Sequence, residues 1–151
     1  MSVQPQSHLE PSKEILRLVR KIPRFVPDGK PPLNGEAFQP SSEDFAEALR
    51  TSQPVRVSVW DLSLTTIPQA KAFRKNEVLL AFGFKVSDVH HVRTMFELSR
   101  LEVVADPLED PHPGALGHCG IEGLDRQDGE PSKIYKAAKD ELARRARLLD
   151  G

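Results

Sequence analysis

The chain has a single cysteine and no long apolar run. One cysteine, Cys119, cannot form an internal disulfide. The longest apolar run, VLLAF at 78–82, is far shorter than the roughly 20 residues that span a bilayer. The opening residues, MSVQPQSHLEPSKE, lack the apolar segment of a secretory signal. These absences predict a cytoplasmic protein that does not insert into a membrane.

Charge of either sign is not in excess. The 21 lysines and arginines nearly balance the 22 aspartates and glutamates, which leaves a formal net charge of -1. No overall field draws such a chain onto DNA, RNA or an anionic membrane, so nucleic acid is disfavoured as a partner. The length of 151 residues fits one domain with a core of its own.

The N-terminal third mixes polar segments with one apolar stretch. Residues 1–11 are polar and contain two prolines, which predicts a disordered tail followed by a single domain over 12–151. Ile15, Leu18, Val19 and Ile22 have helical spacing and predict an amphipathic helix over 12–22, although ILRLV could instead form a strand. Five of the thirteen prolines fall within 23–40, which predicts a loop without regular structure.

The remaining segments alternate between helical and strand patterns. Ser41 and Asp44 form a capping box for a helix over 42–50, with an apolar face that includes Phe45 and Leu49. VRVSVW at 55–60 alternates strictly and places Ser58 and Trp60 on one face. Further helices are predicted over 68–75, 88–96 and 132–149, further strands over 78–86 and 101–105, and a loop over 106–117. This order predicts a single α+β domain with a small mixed sheet packed against several helices.

A run of glycines at a spacing of three lies within PHPGALGHCGIEGL, residues 111–124. It contains neither of the two phosphate-binding glycine patterns, GxxxxGK(S/T) and GxGxxG. Its GxxG segments lack the Lys or Arg that would contact a nucleic-acid phosphate. If HCGIEGL is a strand, His118 and Cys119 point to opposite faces and cannot form a nucleophilic pair. Cys119 is then interpreted as a small buried apolar residue. Trp60 is interpreted as packing over the sheet edge.

Metal and cofactor sites are not expected. Asp106, Asp110, His112 and His118 are chemically suited to a divalent ion, but their spacing matches no known ligand signature. Asp106 and Asp110 each precede a proline, where turn formation accounts for them.

The chain resembles a group of small bacterial proteins that share an Arg-rich RRIP start, a PSS..F segment and a closing Pro-Gly-His-Ala-type segment. Where that pattern has Ala after the histidine, this chain has Cys119. The resemblance implies no particular activity. It is carried by LVRKIP (18–23), FVPDG (25–29), QPSSEDF (39–45), VSV (57–59), VVADP (103–107) and GHCGIEGL (117–124).

Four polar residues stand inside these segments: Arg20, Ser42, Asp106 and His118. The hypothesis is that they converge at one end of the sheet. One function class is a non-catalytic binding or accessory domain in a bacterial cytoplasm, whose sheet edge or loop 23–40 contacts another protein or a second copy. The alternative is a small toxin-like transferase or hydrolase on a nucleotide or RNA. There Arg20 would bind phosphate and His118 would act as general acid or base. Whether the protein is an enzyme stays open at this point.

Overall fold

The structure is a computed structural model, described over residues 8–28, 33–74, 77–108 and 115–150. Six strands form one sheet in the order β4-β5-β2-β1-β3-β6. The predicted α+β class is confirmed, and every strand pair is antiparallel where a mixed sheet was expected. The strands are β1 (Glu14–Arg20), β2 (Arg56–Asp61), β3 (Leu79–Lys85), β4 (Glu102–Ala105), β5 (His118–Glu122) and β6 (Arg147–Asp150).

Four helices accompany the sheet: α1 (Ser42–Thr51), α2 (Ile67–Lys71), α3 (Val86–Phe96) and α4 (Ser132–Arg145). Short 3-10 turns lie at Gly35–Phe38, Ala72–Arg74 and Ala115–Gly117. Among the described residues, no helix has the length and apolar character that crossing a bilayer requires.

The two faces of the sheet are covered differently. On one face, valines and aromatic residues of the central strands pack against α3, α4 and the turn Gly35–Phe38, and this is the main core. On the other face, a smaller cluster of Leu16, Leu18, Trp60 and Ala81 packs against α2 through Ala70. The part of this second face that carries Ser58 and His118 bears polar side chains, and it positions the site described below.

The helix predicted over 12–22 is wrong, and the alternative strand is right. β1 pairs with β3 at all seven of its positions. Ile15 and Val19 enter the main core, whereas Leu16 and Leu18 enter the second cluster. Because both faces of a central strand are buried, its apolar residues are nearly continuous and their spacing imitates a helical stripe.

The C-terminal helix is shorter than predicted. It ends at Arg145, and Ala146 has an extended backbone with φ -75° and ψ 140°. The following β6 pairs with β3 at the sheet edge, where it satisfies main-chain groups that a longer helix would leave without partners. Leu149 therefore belongs to a strand and not to the predicted helical face.

Most other elements agree with the sequence analysis. The capping box of α1 is present, and β2, β3, β4 and the strand beginning at His118 form as predicted. α3 begins at Val86, two residues before its predicted start, and the Asp88 carboxylate accepts from the Lys85 main-chain N–H.

The segments predicted to be irregular contain more order than expected. Residues 1–7, 29–32 and 109–114 lie outside the described residues, so the predictions for them stay predictions. His8, assigned to the tail, forms a bridge with Val104, and Leu9 packs against the main core. Within the predicted loop 23–40, the turn Gly35–Phe38 buries Phe38 completely.

Candidate functional site

The sheet opens between β1 and β2. These strands pair at only two positions, Ile15 with Asp61 and Leu16 with Trp60. Beyond them the Arg17 guanidinium lies between the strands and donates to the main-chain oxygens of Ala37 and Ser58, each at 2.9 Å. A side chain thus replaces the ladder hydrogen bonds that would otherwise close this part of the sheet.

A cavity of about 690 Å³ occupies this opening, and we call it the cleft. Arg17 and Arg20 of β1 line it, together with Ser58 and Trp60 of β2 and His118 of β5. The volume falls within the range of about 300–1,000 Å³ that small-molecule sites occupy.

Ser58 and His118 form a hydrogen-bonded pair at the cleft. In the β2–β5 ladder Ser58 faces Gly120 and Trp60 faces His118. Because side chains alternate along a strand, Ser58, Trp60 and His118 share one face of the sheet. Ser58 Oγ lies 3.0 Å from His118 Nε2, and the histidine is only 8% exposed. Hydroxyl and imidazole are therefore within the reach that a nucleophile and its base require.

The position of Asp106 sets the tautomer of His118. The imidazole Nδ1 lies 2.8 Å from the Asp106 main-chain oxygen. A carbonyl oxygen can only accept, so Nδ1 carries the hydrogen in the neutral ring and Nε2 accepts from the Ser58 hydroxyl. The Asp106 carboxylate Oδ2 is 3.6 Å from Nδ1, close enough to stabilise positive charge on the ring.

Arg56 holds the Asp106 carboxylate in place. Its NH1 donates to Asp106 Oδ1 at 3.2 Å and its Nε donates to Glu122 Oε2 at 2.9 Å. The side chain of Arg56 lies across Gly120, where an added Cβ would come within 2.7 Å of it. Gly120 thus leaves the space through which Arg56 reaches both carboxylates.

Cys119 lies on the opposite face from His118. It is 2% exposed within the main core, and burial together with the nearby Asp61 charge raises the pKa of its thiol to about 12. The expectation of a small buried residue is confirmed. This thiol is not positioned to act with His118, because the two side chains leave the strand in opposite directions.

The structure brings three of the four candidate residues together. Arg20 and His118 line the same cleft. Asp106 contacts His118 and lines an adjoining cavity of about 130 Å³, which Ser58 also lines. Ser42 is an exposed residue at the start of α1 and is not among the residues that line the cleft, whereas its neighbour Ser41 is.

Short segments far apart in the chain meet at the cleft. Arg20, Phe25, Ser41, Ser58 and His118 come from the segments 18–23, 25–29, 39–45, 57–59 and 117–124, and all five residues line the cavity. Segments far apart in the chain thus contribute to one site.

Ser58 and Arg17 line the cleft but were not predicted from the sequence as site residues. Ser58 was placed on the same face as Trp60, but nothing local identified β5 as the neighbour of β2. Arg17 was assigned to a helix. The interpretation of Trp60 as an edge residue is wrong, because β2 lies inside the sheet and Trp60 is 3% exposed at the cleft.

Aromatic and acidic side chains complete the cleft. Trp60 and Phe73 have ring centroids 6.5 Å apart, and the Arg20 guanidinium lies 5.7 Å from the Phe25 centroid. Glu36 pairs with Arg24, and Asp44 accepts from the Ser41 main-chain N–H. The acidic residues that line the cleft are Glu36, Glu43, Asp44 and Glu77.

Metal ligands do not gather at this site. Over the described ranges, no group of three or more His, Cys, Asp or Glu side chains is arranged to hold an ion. Comparisons with protein-family models, with curated proteins and with solved structures give no significant match.

Proposed function

We propose that the protein is a small hydrolase or transferase in which Ser58 is the nucleophile and His118 is its general base. The observation that carries the proposal is the 3.0 Å contact between Ser58 Oγ and His118 Nε2 at a cleft that Arg20 also lines. The Nε2 lone pair already faces the Ser58 hydroxyl, so the proton that His118 removes first is the one on Ser58.

The proposed reaction has two proton transfers. As Ser58 Oγ attacks the substrate, its proton moves to His118 Nε2, and the imidazolium that forms is stabilised by the Asp106 carbonyl and carboxylate. The leaving group then takes that proton from Nε2 as its bond to the substrate breaks. Water, or an acceptor molecule in a transferase, later releases the group from Ser58.

The proposed substrate carries an anionic group and a planar ring, as a nucleotide does. Arg20 is exposed at the cleft and, among the described residues, makes no ion pair, so it is available for a phosphate. Phe25, Trp60 and Phe73 line the same cavity and offer apolar surface to a base. A phosphate on Arg20 and a base on the aromatic residues would place the ligand beside Ser58.

A fluorophosphonate probe tests the nucleophile without knowledge of the substrate. The probe forms a stable ester with an activated serine and releases fluoride. We expect wild-type protein to be labelled at Ser58, located by peptide mass spectrometry. Labelling should disappear in Ser58→Ala and fall about 100-fold or more in His118→Asn, because general-base assistance contributes about 10²–10⁴ to such steps.

Two control variants match these changes. Ser42→Ala removes an exposed serine outside the cleft, and His91→Asn removes an exposed histidine on α3. Both should be labelled at the wild-type rate. Wild-type protein that resists the probe, or that is labelled equally in His118→Asn, would contradict the proposal.

A protein-binding role has one specific observation in its favour. α1 turns its apolar residues to solvent: Phe45 is 46% exposed and Leu49 is 86% exposed, and no residue of the helix is buried. We infer that this face contacts a second copy of the chain. Sedimentation of the wild type beside Phe45→Asp/Leu49→Lys tests self-association: a wild-type dimer that the variant loses supports the role, and identical monomers contradict it.

A further inference from the structure

We infer that the indole N–H of Trp60 binds the oxygen that becomes negatively charged when Ser58 attacks the substrate, a role that rests on the proposed function. The cleft would then accept a substrate with a phosphoryl or carbonyl oxygen directed at Trp60. Ser58 supplies the nucleophile, His118 the base and Trp60 the donor for the oxyanion.

Trp60 carries an unsatisfied hydrogen-bond donor. Trp60 is 3% exposed, and its Nε1 is the one buried side-chain nitrogen or oxygen without a hydrogen-bond partner among the described residues. A buried donor without a partner costs about 1–3 kcal/mol, and folded proteins rarely leave one. An acceptor on a bound ligand would recover that cost.

The Trp60 ring lies on the same face of β2 as Ser58 and contacts His118. Trp60 follows Ser58 by two residues on β2, so both side chains leave the same face, and both line the cleft. The indole packs edge-on against the His118 imidazole, with centroids 5.3 Å apart and planes at 75°. The donor thus belongs to a ring that already contacts the base.

The proposed reaction needs a donor for the negative charge that develops on the substrate oxygen. A donor fixed in a desolvated site stabilises developing charge strongly, because it does not reorient during the reaction. Arg17, a cation near Ser58, already donates to the main-chain oxygens of Ala37 and Ser58. Trp60 therefore combines burial, fixed position and an unused donor.

The attack of Ser58 on the substrate requires no further reagent. Ser58 Oγ bonds to the phosphorus or carbonyl carbon and its proton passes to His118 Nε2. One electron pair of the substrate's double bond moves onto the oxygen, which accepts from Trp60 Nε1–H. When the pair returns, the leaving group departs with the proton from His118.

Trp60→Phe tests the inference, since it keeps a six-membered aromatic ring and removes the pyrrole ring that carries the N–H donor. We expect the second-order rate of fluorophosphonate labelling at Ser58 to fall about 30-fold or more, because loss of one oxyanion donor typically costs about 10²–10³. Met95→Leu, which changes an exposed residue of α3 outside the cleft, should stay within about twofold of the wild type. Circular dichroism confirms that each variant is folded.

A second measurement uses the wild-type protein. Trp60 is the only tryptophan, so a ¹⁵N spectrum contains a single indole signal. On formation of the Ser58 phosphonate ester, the indole proton should shift downfield and exchange more slowly with water. This measurement decides the question if Trp60→Phe does not fold.

The outcomes separate the two proposals. Labelled wild type with both a slow Trp60→Phe variant and a shifted indole signal supports the inference. Labelled wild type with an equally fast variant, or an unchanged indole signal in the ester, overturns the role of Trp60 and leaves the nucleophile in place. Wild-type protein that is not labelled overturns both.

Discussion

Ser58 Oγ and His118 Nε2 lie 3.0 Å apart although 60 residues separate them in the chain. The contact depends on β2 and β5 being neighbours and on the register that sets Trp60 opposite His118. One residue of slip would send Ser58 or His118 to the other face of the sheet. The Ser58–His118 contact therefore depends on how the strands pair in the sheet and not on a local sequence motif.

The charge of the ligand can be tested with two substitutions, one that removes a positive charge from the cleft and one that removes a negative charge. Arg20→Ala should weaken binding of ribonucleoside monophosphates about tenfold, because a charge-assisted hydrogen bond is lost. Glu43→Gln should strengthen binding about two- to threefold by removing a like charge from the lining. The fluorescence of the single tryptophan, Trp60, reports binding. Equal affinity in all three proteins would contradict an anionic ligand.

The Cys119 thiol should be unreactive in the folded protein. Its pKa is raised to about 12 by burial, so almost no thiolate exists at neutral pH, and the side chain is 2% exposed. Reaction with a disulfide reagent should be slow in buffer and complete in guanidinium chloride. Rapid reaction at pH 7 without denaturant would show that this part of β5 opens or is not packed as described.

Gly123 and Gly129 both have left-handed backbone conformations, so the effects of an alanine substitution at the two positions can be compared directly. Gly129 has φ 85° with no atom within 4 Å of an added Cβ, so Gly129→Ala should cost only backbone strain, about 1–2 kcal/mol. Gly123 has φ 88°, and a Cβ there would lie 2.5 Å from the Arg100 main-chain oxygen. Gly123→Ala should therefore lose about 3 kcal/mol or more, since overpacking adds to the strain. Chemical denaturation measures both, and equal losses would contradict the close approach at Gly123.

Glu102 should make stability depend on acid pH. Burial would raise the pKa of its carboxyl, but hydrogen bonds from His90, the Val103 N–H and Arg93 outweigh it and hold the pKa below the ordinary value of 4.5. A depressed folded-state pKa stabilises the protein above pH 4.5, and that contribution is lost as the pH falls through the folded value.

The variant Glu102→Gln tests this pH dependence, because its side chain cannot ionise. The wild type should have the higher melting temperature near neutral pH, and the difference should shrink as the pH falls below about 4. Thermal unfolding at a series of pH values measures it. A difference that stays constant down to strongly acidic pH would show that the ionised carboxyl is not what stabilises the wild type.

Local patterns predicted much of the fold because they act within one element. The alternation in VRVSVW, the capping box at Ser41 and the apolar run 78–86 each specify a strand or helix without reference to the rest of the chain. β1 was misjudged because a strand covered on both faces loses its alternation. β6 was missed because only the unpaired edge of β3 explains why the chain leaves the helix at Ala146.

The site was predictable only in part. Alternation along HCGIEGL separated His118 from Cys119 correctly, because the side-chain period of a strand is local. Ser58 could not be singled out, since its importance comes from pairing with a strand 60 residues away. Ser42 was chosen from a motif. It begins the helix that its neighbour Ser41 caps, and it does not line the cleft.

The hydrogen position on His118 tests the central claim most directly. Long-range ¹H–¹⁵N spectra at alkaline pH distinguish the two neutral tautomers, and loss of one of the five histidine signals in His118→Asn assigns the ring. The account predicts hydrogen on Nδ1, directed at Asp106, and an Nε2 signal that moves when Ser58→Ala removes its hydroxyl donor. Hydrogen on Nε2, or an Nε2 signal indifferent to Ser58→Ala, would contradict the proposed nucleophile and base.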